Sequence, residues 1–307
     1  MPTPPILFLI FNRPEQTKMV FQQIKKASPR QLFIAADGPR PEKSDDRDQC
    51  ERTRAIVDDI DWDCEVKTLF RETNLGCEIA VSQGISWFFH EVERGIVLED
   101  DCLPDPSFFP YCDELLTRYE SSDQVGVITG DNFQWGNKVS EASYYFSKFP
   151  HCWGWASWRS AWNRYDHSMS EALQSDEEMI ANFAHIPKEM AYWTKAFDSL
   201  RNRQLNTWDY RWMRSVWQAK LLTATPKVNL VTNIGFGSNA SHTHDDLFVP
   251  ALSTLEFPLI HPSLVQQHTD ADARVARKHF GLSIRSRIEH RVNRLMSKWK
   301  RIGKRVS

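Results

Sequence analysis

Short apolar runs alternate with amphipathic stretches through roughly the first 130 residues, and this alternation constrains the fold more than any other feature of the chain. The runs at 6–11, 31–36, 65–70 and 95–98 read as strands, the first and the last of them buried. Between them, 15–26, 48–59 and 77–90 read as helices, the first opened after Pro14. A helix at 106–119 and a strand at 125–129 extend the pattern. Such β-α-β-α order predicts an α/β, Rossmann-like, mostly parallel sheet flanked by helices. Ligands on these sheets bind beyond the carboxyl ends of the strands. The positions that matter most are therefore 12–14, 37–39, 71–76 and 99–101.

The second half differs in character, carrying most of the 12 tryptophans, several helical patches and a Gly/Asn/His-rich segment at 233–246. With 41% hydrophobic and 12% aromatic residues the chain can bury a sizeable core, which excludes general disorder. One domain is expected over 1–273, in halves 1–130 and 131–273, followed by a tail at 274–307. No apolar run near the N-terminus approaches the roughly 20 residues of a membrane span, and no basic leader precedes one. Six cysteines show no CxxC or Cys/His zinc spacing, so reduced thiols of a cytoplasmic protein are expected.

The net charge of -2 conceals an asymmetry. Residues 274–307 hold 12 basic residues against the single acid Glu289, which leaves 26 basic against 39 acidic residues before them. Within this tail Ile284, Ile288, Val292, Leu295, Trp299 and Ile302 recur at helical spacing among arginines and lysines. Two placements suit such a helix: docked on its own acidic body, or lying on anionic lipid at the inner face of the cell membrane. Nucleic acid is not an expected partner, because the body is acidic.

Glu99, Asp100 and Asp101 directly follow the strand Gly-Ile-Val-Leu, and three adjacent carboxylates must emerge at its end. Hard oxygen ligands without Cys or His beside them suit Mn²⁺ or Mg²⁺ shared with a diphosphate. The other reading is an acidic turn before the helix at 106–119, with Asp105 as its N-cap. No GxGxxG follows the first strand and no GxxxxGK[ST] occurs, which argues against dehydrogenases and P-loop kinases. Trp155, Trp158 and Trp162 fall on one helical face as core residues, while Trp153 or Trp155 could instead stack on a sugar.

The segments IFNRP, AADGPRP, RETNLG, VLEDDCLPDPSFFPYC, TGDN, FPHCWGWASWRSAW, WDYRWM and NIGFGSNASHTH, in that order, resemble the nucleotide-diphospho-sugar glycosyltransferases of the GT-A fold. The pattern is similar to bacterial family 2-like transferases of surface polysaccharide synthesis and to the Golgi N-acetylglucosaminyltransferase that initiates complex N-glycans. The resemblance covers residues 5–246 and makes 1–130 the nucleotide-sugar half and 131–273 the acceptor half. It implies a metal-dependent, inverting transfer from a nucleotide sugar, UDP-linked by expectation, to a glycan or lipid-linked acceptor.

By the same resemblance Asp101 is the direct ligand of Mn²⁺ or Mg²⁺, with Asp100 on the metal or the ribose and Glu99 facing the donor sugar. Asn12, Arg13 and Asp37 hold the nucleobase and ribose, and His242, with His244, sits in a loop over the diphosphate. Asp209 is the expected catalytic base, with Asp131 and Asp246 next in line. The chemistry needs these groups independently. A cation stabilises the departing diphosphate, and a carboxylate takes the proton of the attacking hydroxyl. Asp209 could also simply cap the helix at 210–219. Two other functions share this sheet, a sugar nucleotidyltransferase and a non-catalytic glycan-binding module. The first generally carries a Gly-rich basic loop after strand one, which Asn12-Arg13-Pro14 is not, and the second would make the acidic triplet and Asp209 dispensable.

Overall fold

A computed structural model describes residues 3–169, 173–235 and 249–282. Along the chain lie β1 (Ile6–Ile10), α1 (Pro14–Ala27), β2 (Gln31–Ala36), α2 (Asp46–Arg54) with a 3-10 turn at Ala55–Asp59, β3 (Glu65–Phe70) and α3 (Cys77–Glu91). Then come β4 (Arg94–Glu99), β5 (Cys102–Pro104), α4 (Phe108–Arg118), β6 (Val125–Thr129), β7 (Tyr144–Ser147), β8 (Trp155–Trp158) and α5 (Arg159–Trp162). The chain continues through α6 (Leu173–Phe183), α7 (Pro187–Arg201), α8 (Trp208–Gln218), β9 (Leu222–Pro226), β10 (Val231–Asn233) and α9 (Thr269–Lys278).

Eight strands form one sheet in the order β3-β2-β1-β4-β8-β6-β9-β7, and β5 pairs with β10 in a small ribbon. Neighbours from β3 to β4 are parallel, as are β6 and β9. Only β8 and β7 run against the rest. This is the mostly parallel α/β architecture that the alternation predicts.

The residues of β1 divide between two apolar layers, as strand geometry requires. Ile6, Phe8 and Ile10 pack with Val20 and Phe21 of α1 and Leu115 of α4, while Leu7 and Leu9 pack with Ile85 and Phe88 of α3 and Trp212 and Val216 of α8. Each such side chain, fully buried, contributes about 1.5–3 kcal/mol. The second layer also holds Trp155, Trp162, Trp193, Trp208 and Trp217, so the tryptophans of the second half are chiefly core.

One expectation is corrected. Trp155 and Trp158, read as a helical face with Trp162, lie on strand β8 between β4 and β6. All four residues of β8 are buried, so it shows no alternation, and its partners Ile96 and Ile128 are remote in sequence.

The connection from β7 to β8 is pinned by Lys148, whose Nζ lies 2.5 Å from Glu189 Oε1 of α7, both side chains fully buried. Helix α9 runs across the 273/274 division, and Asp272 accepts from Ser147 Oγ (2.6 Å) while Arg274 Nη1 donates to Gln134 Oε1 (2.5 Å). The apolar stripe from Ile284 to Ile302 lies outside the described residues. Among the described residues no helix is long and apolar enough to cross a membrane. All six cysteines are free thiols.

Candidate active site

β1 and β4 are adjacent and parallel, with Leu9 opposite Glu99, so the residues following both strands emerge side by side. The backbone N–H of Phe11 donates to Asp100 Oδ2 (3.1 Å). Arg13 Nη1 reaches both acids, Asp101 Oδ2 at 2.5 Å and Asp100 Oδ1 at 3.3 Å. On the other side β5 and β10 pair with Cys102 opposite Asn233, which brings Asn233 Nδ2 to Asp101 Oδ1 (3.3 Å) and Ile234 N–H to the Asp101 carbonyl (2.8 Å). The chain then passes so close that a Cβ on Gly235 would collide with the Asp101 carboxylate.

The acids repel one another here. Burial first, then Asp101, Asp100 and Asp209, hold Glu99 well above the carboxylate range. Burial and Asp101 push Asp100 up to about 7 against the pull of Arg13. Asp209 therefore stands within electrostatic reach of the β4 terminus although 110 positions separate it from Glu99 in sequence. Cys77, at the start of α3, and Cys152, before β8, feel both Asp209 and Glu99, which raise these thiols further beyond the effect of burial.

Asp209 occupies the first turn of α8. Its Oδ1 accepts from Thr207 Oγ1 and from the backbone N–H of Tyr210 (2.9 Å), so it fastens the helix start. Burial raises its carboxyl above the ordinary value, against the lowering effect of those two bonds. Two residues on, Arg211 ties this turn to α3. Its Nε meets Glu78 Oε1 at 2.8 Å, Nη1 donates to the His167 carbonyl (2.9 Å) and Nη2 to the Leu200 carbonyl (3.3 Å).

Asp131 is fully buried after β6, and burial pushes it up to about 8. Its Oδ2 accepts from Trp153 N–H (3.0 Å) and Thr129 Oγ1 (3.3 Å), while Oδ1 has no hydrogen-bond partner among the described residues.

The three residues expected to hold the nucleobase and ribose all have partners within the chain. Asp37 accepts at Oδ1 from Gly38 N–H and Leu75 N–H (both 2.9 Å) and at Oδ2 from Leu75 N–H (3.1 Å) and Gly76 N–H (3.0 Å). Its lone pairs thus knit the loops after β2 and β3. Asn12 Nδ2 donates to Asp46 Oδ1 (2.8 Å), which Arg40 also grips at 2.6 and 2.8 Å, and that arginine chiefly lowers Asp46 to about 2. Arg13 sits on the acidic triplet itself. His242, His244 and Asp246 lie outside the described residues.

Sequence reasoning missed Asn233, Gly235, Glu78, Arg211 and Asp46. Only the glycine in Asn-Ile-Gly signalled a close approach; the others are joined by packing between remote elements.

Among the described residues no three carboxylate, imidazole or thiolate groups form a protein cage for a metal. At the end of β4, Asp101 and Asp100 stand side by side with Arg13 Nη1 on both.

No protein-family model matches the chain and no curated protein matches it in sequence. Among solved structures it is similar to residues 1–349 of TarS from S. aureus (9% identity, TM-score 0.41), covering 74% of this chain and 59% of TarS. It is similar also to mouse xyloside xylosyltransferase 1 (9% identity, TM-score 0.35, 69% and 81% covered). A cytidylyltransferase from Leptospira borgpetersenii is a third (11% identity, TM-score 0.30, 66% and 74% covered). The chain thus spans less than two thirds of TarS, and the acids gathered where β1 and β4 end remain the ground for any statement about chemistry.

Proposed function

We propose that this chain is a metal-dependent, inverting glycosyltransferase that moves a sugar from a nucleotide diphosphate donor, UDP-linked in this reading, to a hydroxyl of a glycan or lipid-linked acceptor. The observation that carries the reading is the meeting of two acidic groups at the carboxyl edge of the sheet. Glu99 ends β4 with Asp100 and Asp101 directly after it, and Asp209 at the start of α8 is within electrostatic reach of Glu99.

The donor set fits Mn²⁺ or Mg²⁺. Magnesium-type ions are held by one or two carboxylates and by substrate phosphates rather than by all-protein cages. Asp101 and Asp100 are the ligands in this reading, and a cation there would share Asp101 with Arg13. Bound, it supplies positive charge to the leaving diphosphate.

The remaining chemistry belongs to the chain. Asp209 accepts the proton of the acceptor hydroxyl, whose oxygen forms the new bond to the anomeric carbon. The bond from that carbon to the diphosphate breaks on the opposite face, and the electron pair leaves with the nucleotide. Burial lifts the Asp209 carboxyl toward the range in which a carboxylate works as a base. Glu99 borders the donor sugar.

Calorimetric titration of UDP with and without Mn²⁺ tests the reading on wild-type protein and on Asp101→Ala. Mn²⁺-dependent binding in the wild type that is lost in the variant is expected. Absence of UDP binding, or equal Mn²⁺-dependent binding by both proteins, would overturn it.

A further inference from the structure

An arc of aromatic and imidazole rings runs from beside Asp209, which acts on both Tyr192 and Tyr210. Trp153 packs on Phe133 (5.2 Å between ring centres), which also touches His151 (4.6 Å) and His279 (4.3 Å). His279 meets Phe280 at 4.8 Å, Phe280 meets Tyr192 at 6.0 Å, and the hydroxyls of Tyr192 and Tyr210 lie 3.0 Å apart. Trp153, His151, His279, Phe280, Tyr192 and Tyr210 are each partly exposed, whereas Phe133, Phe149 and Trp193 behind them are buried. Both ends of the arc abut the acids. Tyr210 follows Asp209 in the chain, and Trp153 N–H is bonded to Asp131.

The polar atoms of this surface separate it from an ordinary core edge. The ring nitrogens of His151 and His279 make no hydrogen bond to a described residue, yet neither is among the nitrogens sealed from solvent. Burial lowers the basicity of both, His151 well below its usual value and His279 to about 4. At neutral pH both imidazoles are uncharged, each with one donor and one acceptor nitrogen. The arc therefore combines flat apolar faces with uncharged hydrogen-bonding edges.

We propose that the arc is the acceptor subsite and that it takes a neutral pyranose, seated with its C–H face on the rings and its hydroxyls toward the two imidazoles and the Tyr192–Tyr210 hydroxyl pair. This rests on the transferase reading, since a hydroxyl held there lies next to Asp209. A pyranose matches both parts of the surface, because it has an apolar face and a rim of hydroxyls. A carboxylated sugar matches it less well, since neutral imidazoles offer an anion no charge.

Saturation-transfer NMR on the full chain tests this, with methyl β-D-glucopyranoside, methyl β-D-galactopyranoside and methyl β-D-glucuronide as probes. The expected result is transfer to the ring C–H protons of a neutral pyranoside and weaker transfer to the glucuronide. Tyr192→Ala and His279→Ala should each weaken the neutral probe roughly fivefold, the scale of one aromatic contact. Tyr192→Phe should retain most of the stacking, and near-UV circular dichroism of the tryptophan core shows which variants are folded. No transfer to either neutral pyranoside, preference for the glucuronide, or unchanged transfer in both alanine variants would overturn the assignment. UDP calorimetry on the same wild-type protein keeps the two readings apart. UDP binding without pyranoside contact refutes the arc alone, and pyranoside contact without UDP binding refutes the transferase.

Discussion

Replacing Arg211 by methionine keeps the length and apolar stem of the side chain while removing its charge. In the native chain the guanidinium makes three contacts, one charge-assisted bond to Glu78 and two bonds to main-chain carbonyls of His167 and Leu200. The side chains of Arg211 and Glu78 are only 7% and 13% exposed. Removing one partner of a buried ion pair costs about 3–5 kcal/mol. Glu78 lies in the first turn of α3, where the helix dipole favours a carboxylate, and His167 Nδ1 is 3.7 Å away, so the expected loss is at the lower end, about 3 kcal/mol. Glu78→Gln leaves an acceptor for Arg211 and should cost about 1 kcal/mol. Urea unfolding followed by tryptophan fluorescence measures each variant and the double variant, with an unchanged dependence on urea as the check that the unfolded state is the same. A loss under about 1 kcal/mol for Arg211→Met, or additive single effects, would refute the claim that this pair fixes the turn carrying Asp209.

Asp209→Asn retains an oxygen that can accept from Thr207 and Tyr210, so stability should hold while sugar transfer falls by roughly 10²-fold or more in a product-release assay; unchanged transfer would move the base elsewhere. Asp131 bears on the pH dependence of stability. Its folded value of about 8 lies above the ordinary 3.8, so between those values the folded chain holds a proton that the unfolded chain releases, and stability falls as pH rises through this window. Asp131→Asn should flatten that fall, read from urea midpoints at pH 5.5 and 8.5, and an identical slope would show that other acids dominate. Gly235→Ala should displace Asp101 and abolish Mn²⁺-dependent UDP binding, since the added methyl carbon meets that carboxylate; full binding by calorimetry would contradict this.

The parallel half of the sheet was legible because β1, β2 and β4 are largely apolar runs bounded by polar turns. The bounds of β2, β3 and β6 coincide with those read from the sequence, and β1 and β4 differ by a residue or so at their ends. Asp100 and Asp101 were legible as the end of the β4 run, whereas Glu99 is the last residue of β4 itself and pairs with Leu9 of β1. β8 was not legible, because four residues buried on both faces leave no period to read, and the spacing of Trp155, Trp158 and Trp162 imitates a helix. Asp37 shows a different limit. Its position after β2 was right, but nothing local reveals that Leu75 and Gly76 point their amides at it. Arg13 likewise stands at the expected strand end, with the acids of a neighbouring strand as its partners.

The reversed strand also sets an order on synthesis. The strands from β1 to β4 follow one another in the chain and can pair as they leave the ribosome, but the free edge of β4 is closed only by Trp155–Trp158. β6 is made earlier than β8 yet lies beyond it in the sheet, so it cannot serve in its place. From Glu99 to Trp155 the ribosome must add 56 residues, and at 5–20 residues per second the edge Ile96-Val97-Leu98 waits on the order of 3–11 s. An apolar edge without a partner is a site for pairing with other chains. Fragments that stop short of residue 158 would keep that edge open permanently, so any dissection of this protein into pieces should cut after β8 rather than between the two halves of the sheet.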